Sequence, residues 1–157
     1  MTEPRAHVAL SDCEQIRPGR LGQPANALSS LAFVAAAVPI VRAARRRGRP
    51  AWLAVAAAAV VEGVGSVAYH GPGGAGSKRL HDDGLILLAA ALGVAVASEG
   101  TPVQPRPWTA GLSVAAVSLH TLSRTGGPLC SARSPLQGHA VFHVLAAAAL
   151  AAAASAR

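Results

Sequence analysis

The sequence AWLAVAAAAVVEGVGSVAYH, residues 51–70, decides the fold of this chain. At about 1.5 Å per residue, a helix of this length spans roughly 30 Å, which is the thickness of the hydrocarbon core of a bilayer. Four other apolar stretches of comparable length occur in the sequence. We therefore predict a single all-α domain over residues 1–157, a polytopic transmembrane bundle of about five helices at residues 25–43, 51–70, 82–98, 107–123 and 138–155.

The composition favours a membrane protein over a soluble one. Hydrophobic residues make up 52% of the chain and charged residues only 13%, and the apolar runs are too numerous for one soluble core of 157 residues. Much of this apolarity is alanine, which is nearly neutral for insertion, so an alanine-rich soluble helical bundle stays open as an alternative. The net charge of +7 lies in short connections between apolar runs, which is typical of topogenic charge and not of a nucleic-acid partner.

The orientation follows from the basic cluster between the first two predicted helices. Five arginines occur between Arg42 and Arg49, and positive connections stay in the cytoplasm. With five spans, the amino terminus then lies outside and the carboxyl terminus lies in the cytoplasm. We therefore expect a multi-pass protein of the plasma or inner membrane.

Three histidines are the strongest functional signal. His139 and His143 are one helical turn apart and share a face at the start of the last apolar stretch, and His70 ends the stretch 51–70. Because the third and fourth helices lie between residue 82 and His139, the predicted topology brings all three histidines to the outer face. Ionisable residues within membranes are functional candidates by default. Three imidazoles that leave a position open predict a catalytic Zn²⁺ site.

Polar residues near these histidines complete the predicted site. Glu62 and Ser66 share a helix face with His70, and Asp82 opens the next helix. We expect Asp82, with Asp83 as the alternative, to exchange protons with water, and Ser66 to stabilise an oxyanion. Small residues such as Ser66 also serve close helix packing, and pairs such as Asn26 and Ser30 serve as hydrogen bonds between helices. The other two histidines of the apolar segments, His81 and His120, are interpreted as interfacial or hydrogen-bonded residues.

The order of these motifs resembles the CREST superfamily, which includes alkaline ceramidases, progestin and adipoQ receptors and haemolysin-III-like proteins. The similar motifs are Asp12-Cys13-Glu14, residues 26–31, Gly65-Ser66 with His70, Leu80-His81-Asp82, and His139 with His143. The resemblance implies a membrane zinc hydrolase, with His70, His139 and His143 as the zinc ligands, Asp82 as the water-activating carboxylate and Ser66 beside the zinc. Glu62, Asn26, Glu14 and Asp83 are the residues expected around them.

The resemblance is incomplete in two places. Ceramidases resemble seven-helix bundles, so this chain would lack two helices, between Asp82 and His139. Because two helices are an even number, their loss keeps the site residues on the same side of the membrane, but it removes part of the wall of a lipid pocket. Formation of a homo-oligomer would replace the missing helices. The amino-terminal calcium site of the ceramidases is matched only by Asp12 and Glu14, with Gln23 where an acid is expected.

Cys13 and Cys130 are the only cysteines, and both fall on the predicted outer side. An oxidising exterior permits a disulfide between them, and the ceramidase-like pattern is compatible with it. Two unrelated thiols are the alternative, because the sequence does not fix their distance.

The function that these expectations define is hydrolysis of an amide or ester bond in a lipid-like substrate by zinc-activated water. A non-enzymatic metal-binding receptor or sensor on the same scaffold is the first alternative. A haem protein is the second, because paired histidines in a helical bundle also ligate iron, but it leaves the paired spacing of His139 and His143 and the position of Asp82 unexplained.

Overall fold

The computed structural model describes residues 12–99 and 106–156, which fold into helices joined by turns. This confirms the predicted all-α class. The described part contains no strand, apart from one isolated pair of bridged residues, Asp12 and Arg124. The helices are α1 (Pro24–Ser29), α2 (Leu31–Arg46), α3 (Ala51–His70), α4 (Ser77–Ala97), α5 (Pro107–Leu122) and α6 (Gly138–Ala154).

The first predicted helix is interrupted at Ser30, between α1 and α2. The hydroxyls of Ser29 and Ser30 both donate to the backbone carbonyl of Asn26, at 3.0 and 2.7 Å. Such side-chain bonds compete with the helical ladder and locally disturb it. Ser30 keeps right-handed helical angles, so the chain continues in nearly the same path and ends at Arg46, beyond the predicted end at residue 43.

α4 begins at Ser77, whereas the sequence predicts a start at residue 82. Gly76 adopts a φ of +81°, a left-handed conformation that glycine takes without strain, and the helix follows it at once. The predicted start was wrong because the charged residues after Gly76 were assigned to a loop, although charged residues are compatible with a helix. As a consequence, His81 and Asp82 lie within the helix and not at its opening.

The helices pack as an open row in the order α4, α3, α2, α6 and α5, and α1 lies against α3 and α6. Glycines bring α3 and α4 close together: a Cβ atom on Gly65 would lie 2.9 Å from the Leu80 carbonyl oxygen, and one on Gly84 would lie 2.9 Å from the Glu62 Cα atom. Among the described residues α4 and α5, at the two ends of the row, make at most slight contact. The row is therefore not closed between α4 and α5.

Three helical segments are long and apolar enough to cross a membrane: Pro24–Arg46, Ala51–His70 and Ser77–Ala97. α6 is apolar but shorter. Large apolar side chains cover the outside of the bundle, among them Ile86 and Val94 on α4 and Val114 and Val117 on α5, each more than 60% exposed. Such a surface is consistent with a membrane protein, since lipid-facing side chains need no protein partner. The count of five spans stays a prediction for α5 and α6.

Arginines join the helix ends at the end of the bundle opposite His70. Arg49 donates to the Ala154 carbonyl at 2.9 Å, and Arg47 donates to the Ala156 carbonyl at 2.6 Å, so both satisfy carbonyls at the end of α6. Glu99, just after α4, lies 2.7 Å from Arg49 and accepts a bond from the Trp52 indole at 2.9 Å. Burial raises the pKa of Glu99, but the bonds from Trp52 and Arg49 and the charge of Arg49 outweigh it, and the net pKa is lowered.

Candidate metal centre

The structure brings together the three histidines that the sequence singled out. His70 is the last residue of α3, and His139 and His143 lie in the first two turns of α6. One ring nitrogen from each lies within 4.8 Å of the others, and all three side chains are buried. The cluster could therefore hold a metal ion, and it lies at one end of the bundle as the predicted topology requires.

Gln23 orients His70. Its Oε1 atom, which can only accept, lies 2.8 Å from His70 Nδ1, so Nδ1 carries the proton and the Nε2 lone pair is left free. His70 Nε2 is buried and has no hydrogen-bond partner among the described residues. Gln23 is itself fully buried and donates from Nε2 to the Glu14 carbonyl at 2.8 Å. This is the arrangement of a metal ligand whose second nitrogen is held by a neighbouring acceptor.

Ser29 orients His143 in the same way. The Ser29 hydroxyl gives its hydrogen to the Asn26 carbonyl, so its oxygen accepts from His143 Nδ1 at 2.9 Å. The proton on Nδ1 leaves the other ring nitrogen, Nε2, with a free lone pair. His70 and His143 thus carry the free lone pair on the same nitrogen, Nε2.

His139 lies next to both of these rings and beside Asp12. Its Nδ1 atom is 3.2 Å from Asp12 Oδ1, and His70 Nδ1 is 3.9 Å from Asp12 Oδ2. His139 Nδ1 thus faces the Asp12 carboxylate, whereas Nε2 has no hydrogen-bond partner in the part of the chain that the structure describes. Buried polar atoms are normally satisfied, so unpartnered nitrogens on converging histidines fit a bound cation.

A disulfide between Cys13 and Cys130 holds Asp12 in place. The Cα atoms of the two cysteines are 5.4 Å apart, and the predicted bond is present. The Gln15 amide donates to the Ala132 carbonyl at 2.9 Å, and Asp12 forms its backbone bridge with Arg124. The segment before α1 is therefore fastened to the loop before α6, directly beside His139.

Glu14 and Asn26, both expected near the site, lie behind the histidines. The Glu14 carboxylate accepts from the amides of Ala25 and Asn26, each at 2.9 Å, and so caps the start of α1. Asn26 is fully buried and accepts the serine hydroxyls that face His143. Both residues act on the histidines through Gln23 and Ser29.

Ser66 is close to the cluster but points away from open space. Its hydroxyl lies 2.8 Å from that of Ser30, which already donates to Asn26, so Ser66 is the donor of this bond. Ser66 is fully buried and links α3 to the break between α1 and α2. Its predicted role at an oxyanion stays a prediction and requires its hydrogen to leave Ser30.

The two candidate carboxylates of α4 have different surroundings. Asp82 accepts a bond from Lys78 one turn earlier and lines a cavity that His139 also lines. Asp83 pairs with Arg79 at 3.6 Å, its side chain is 57% exposed, and it does not line that cavity. Position therefore favours Asp82, the carboxylate that the sequence ranked first.

The cavity opens at the same end of the bundle as the histidines. Its volume is about 270 Å³. It is lined by residues from the segment before α1, the end of α3, the start of α4, the end of α5 and the start of α6, namely Asp12, Tyr69, Lys78, His81, Asp82, His120, Arg124 and His139. His139 is the member of the three-histidine cluster that faces this space.

Sequence reasoning missed a pair formed by His81 and Glu62. His81 Nδ1 lies 2.9 Å from Glu62 Oε1, and the Glu62 side chain is 1% exposed. The ring of Tyr69 stacks on that of His81 with centroids 5.2 Å apart. Glu62 was expected near the zinc ligands, on the helix face of His70, but it pairs with His81, because Gly65 and Gly84 allow α3 and α4 to approach closely. The only available signal was the buried carboxylate, which needs a partner.

His120 also lies at the site. Its ring is 5.3 Å from that of His139, and it lines the cavity. His81 and His120 were expected to be interfacial or hydrogen-bonded residues; His81 is paired with Glu62, and both histidines also line the cavity. Spacing along the chain gave no indication that five histidines meet at one end of the bundle.

Comparison with models of known protein families, with curated proteins and with solved structures gives no match. The resemblance to the CREST superfamily therefore depends on the ordered motifs alone. Those motifs do meet in space, since Asp12, His70, Asp82 and the two histidines of α6 lie around one cluster and its cavity.

Proposed function

We propose that this protein is a zinc-dependent membrane hydrolase that cleaves an amide or ester bond in a lipid-like substrate. The observation that carries the proposal is the buried cluster of His70, His139 and His143, which lies beside a polar cavity. In this cluster the Nε2 atoms of His70 and His139 have no hydrogen-bond partner among the described residues. The motif resemblance to CREST hydrolases points to the same chemistry.

Zinc is the metal that this set of donors favours. Three neutral imidazoles with a position left for water are typical of catalytic zinc, and the acceptors at His70 and His143 fix the ring orientations. A bound zinc ion supplies Lewis acidity, which makes water a stronger acid and polarises a carbonyl group.

The protons are moved by side chains that line the cavity. Asp82 takes a proton from water at its carboxylate and returns it to the leaving amine or alcohol, after its bond with Lys78 opens. His81, with Glu62 behind it, provides a second proton acceptor on the same wall. Asp12 holds the ring of His139 from the side of the cavity.

The open side of the helix row supports a lipid-like substrate. α4 and α5 make at most slight contact, and both carry large exposed apolar side chains such as Ile86 and Val117. An acyl chain lying between these helices would keep its apolar surface in an apolar environment while its polar end reaches the cavity. These surroundings support the proposed lipid-like substrate.

Metal analysis of the purified protein tests the proposal. We expect about one zinc ion per chain, and we expect His139→Ala and His143→Ala to lose most of it. His120→Ala is the matched control, because this histidine lies at the same end of the bundle but outside the cluster. Full zinc content in both cluster variants contradicts the site.

A hydrolysis screen on the zinc-loaded protein tests the reaction. Release of fatty acid from acyl amides or esters, abolished by Asp82→Asn with zinc retained, is the expected result. Stoichiometric zinc without turnover on any acyl amide or ester contradicts the hydrolase and favours a metal-binding receptor on the same scaffold.

A further inference from the structure

The charged residues of the cavity are not all paired. Asp12 faces His139 and His70, and Lys78 bonds to Asp82. Arg124 also lines the cavity, yet no carboxylate of the described residues lies within 4.0 Å of its guanidinium. One cation at the wall of the site is therefore available to a ligand.

The backbone of Arg124 is held in position. It pairs with Asp12 in the antiparallel bridge, and its carbonyl accepts from the Gly127 amide at 2.7 Å. Residues directly opposite in an antiparallel pair project to the same side, and Asp12 projects toward His139. Arg124 therefore projects toward the site as well, and the Cys13–Cys130 bond beside it fastens the two segments.

The charges around the cavity favour a negative ligand when a divalent metal is bound. The carboxylates of Asp12 and Asp82 balance the cations Lys78 and Arg124, and three neutral imidazoles add no charge. A divalent metal then adds two positive charges. An ionised Glu62, which lies behind His81, offsets one of them. The site keeps a positive balance, and its guanidinium is suited to carboxylate and phosphate oxygens.

We propose that Arg124 binds an anionic head group, so that the preferred substrate is an acylated amine whose amine part carries a carboxylate or a phosphate. This proposal depends on the proposed hydrolase function and specifies its substrate. The acyl chain lies toward the open side of the row, and the head group lies in the cavity between Arg124 and α4.

Three matched compounds test the proposal on zinc-loaded protein in detergent: N-lauroyl-glycine, N-lauroyl-phosphoethanolamine and the neutral N-lauroyl-ethanolamine. For each compound, hydrolysis and the shift of the thermal unfolding midpoint are measured. The variants are Arg124→Gln and, as control, Arg133→Gln, an exposed arginine of the same loop that does not line the cavity.

We expect the wild type and Arg133→Gln to favour an anionic compound over the neutral one by about fivefold in kcat/KM and in affinity, as a partly exposed ion pair provides. Arg124→Gln should lose this preference. The two anionic compounds distinguish a carboxylate from a phosphate head group. The proposal for Arg124 is overturned if the wild type shows equal kcat/KM and affinity for all three compounds, or if Arg124→Gln keeps the preference for an anionic compound. Either result leaves the proposed hydrolase function unaffected. If none is hydrolysed, the hydrolase fails and the thermal shifts alone decide the role of Arg124.

Discussion

Replacing Gln23 with leucine removes the acceptor that orients His70. Leucine has nearly the volume of glutamine, so the fully buried site stays filled, but the 2.8 Å bond to His70 Nδ1 is lost. Removing the partner of a metal-ligating histidine typically lowers metal affinity 10- to 100-fold, or about 1.4–2.8 kcal/mol. We expect a loss of zinc affinity in this range.

The same substitution also removes the bond from Gln23 to the Glu14 carbonyl, at 2.8 Å. Two longer bonds of the Gln23 side chain, to the Asp12 carbonyl at 3.4 Å and from Asn26 Nδ2 at 3.5 Å, are lost as well. At roughly 1 kcal/mol for each of the two short bonds, the metal-free protein should lose at least about 2 kcal/mol of stability. Gln23→Glu separates the two effects, because a carboxylate still accepts from His70 but cannot donate to Glu14. We expect it to keep zinc affinity while losing stability.

Zinc affinity is measured by competition with a chelator, and stability by thermal unfolding of the metal-free protein. Gln15→Leu is the control, since Gln15 is exposed and its bond to Ala132 uses the backbone amide, which leucine retains. A zinc dissociation constant for folded Gln23→Leu within twofold of the wild type would refute the reasoning.

Four other predictions can be tested, three from the structure and one from the charge pattern of the sequence. Asp82→Asn should abolish turnover with zinc retained, and Asp83→Asn should leave both unchanged; the reverse assignment would make Asp83 the working carboxylate. Cys13→Ser should lower the free energy of unfolding, and the chain-entropy value for a separation of 117 residues, about 4.9 kcal/mol, is the upper limit. The loss should be smaller than this limit because helices that stay in the membrane already restrict the unfolded chain. An unchanged denaturation midpoint contradicts this prediction. Because the pKa of Glu99 is lowered in the folded protein, its ionised carboxylate stabilises the fold above the usual glutamate pKa of about 4.3, and this stabilisation is lost as the pH falls. Lowering the pH should therefore reduce the thermal unfolding midpoint of the wild type more than that of Glu99→Gln. Reporter fusions should place residue 48 in the cytoplasm and residue 75 outside, and a cytoplasmic residue 75 reverses the proposed orientation.

Length and helix-breaking residues were sufficient to predict most helices. α3 runs over the predicted residues 51–70, and α6 begins at the predicted Gly138. The three histidines could be grouped from spacing and from the even number of helices between residue 82 and His139. Both arguments use only the geometry of a helix and the sidedness of a membrane.

The partners of the histidines could not be predicted in this way. Gln23 and Asp12 lie in the segment before α1, and their contacts with His70 and His139 depend on how a loop folds over helix ends. The pairing of His81 with Glu62 requires α4 to begin at Ser77, and the predicted start at residue 82 left His81 outside the helix.

If the four helices between Cys13 and Cys130 all cross the membrane as the sequence predicts, the bond between these cysteines also bears on how the chain is inserted. It joins the segment before the first helix to the loop before the last, so it requires both cysteines to lie in one compartment and therefore an even number of crossings between them. In that topology, a chain in which one of the four helices failed to cross would hold the cysteines on opposite sides and keep two free thiols. Formation of the disulfide would therefore report correct insertion, next to the place where Asp12 contacts His139.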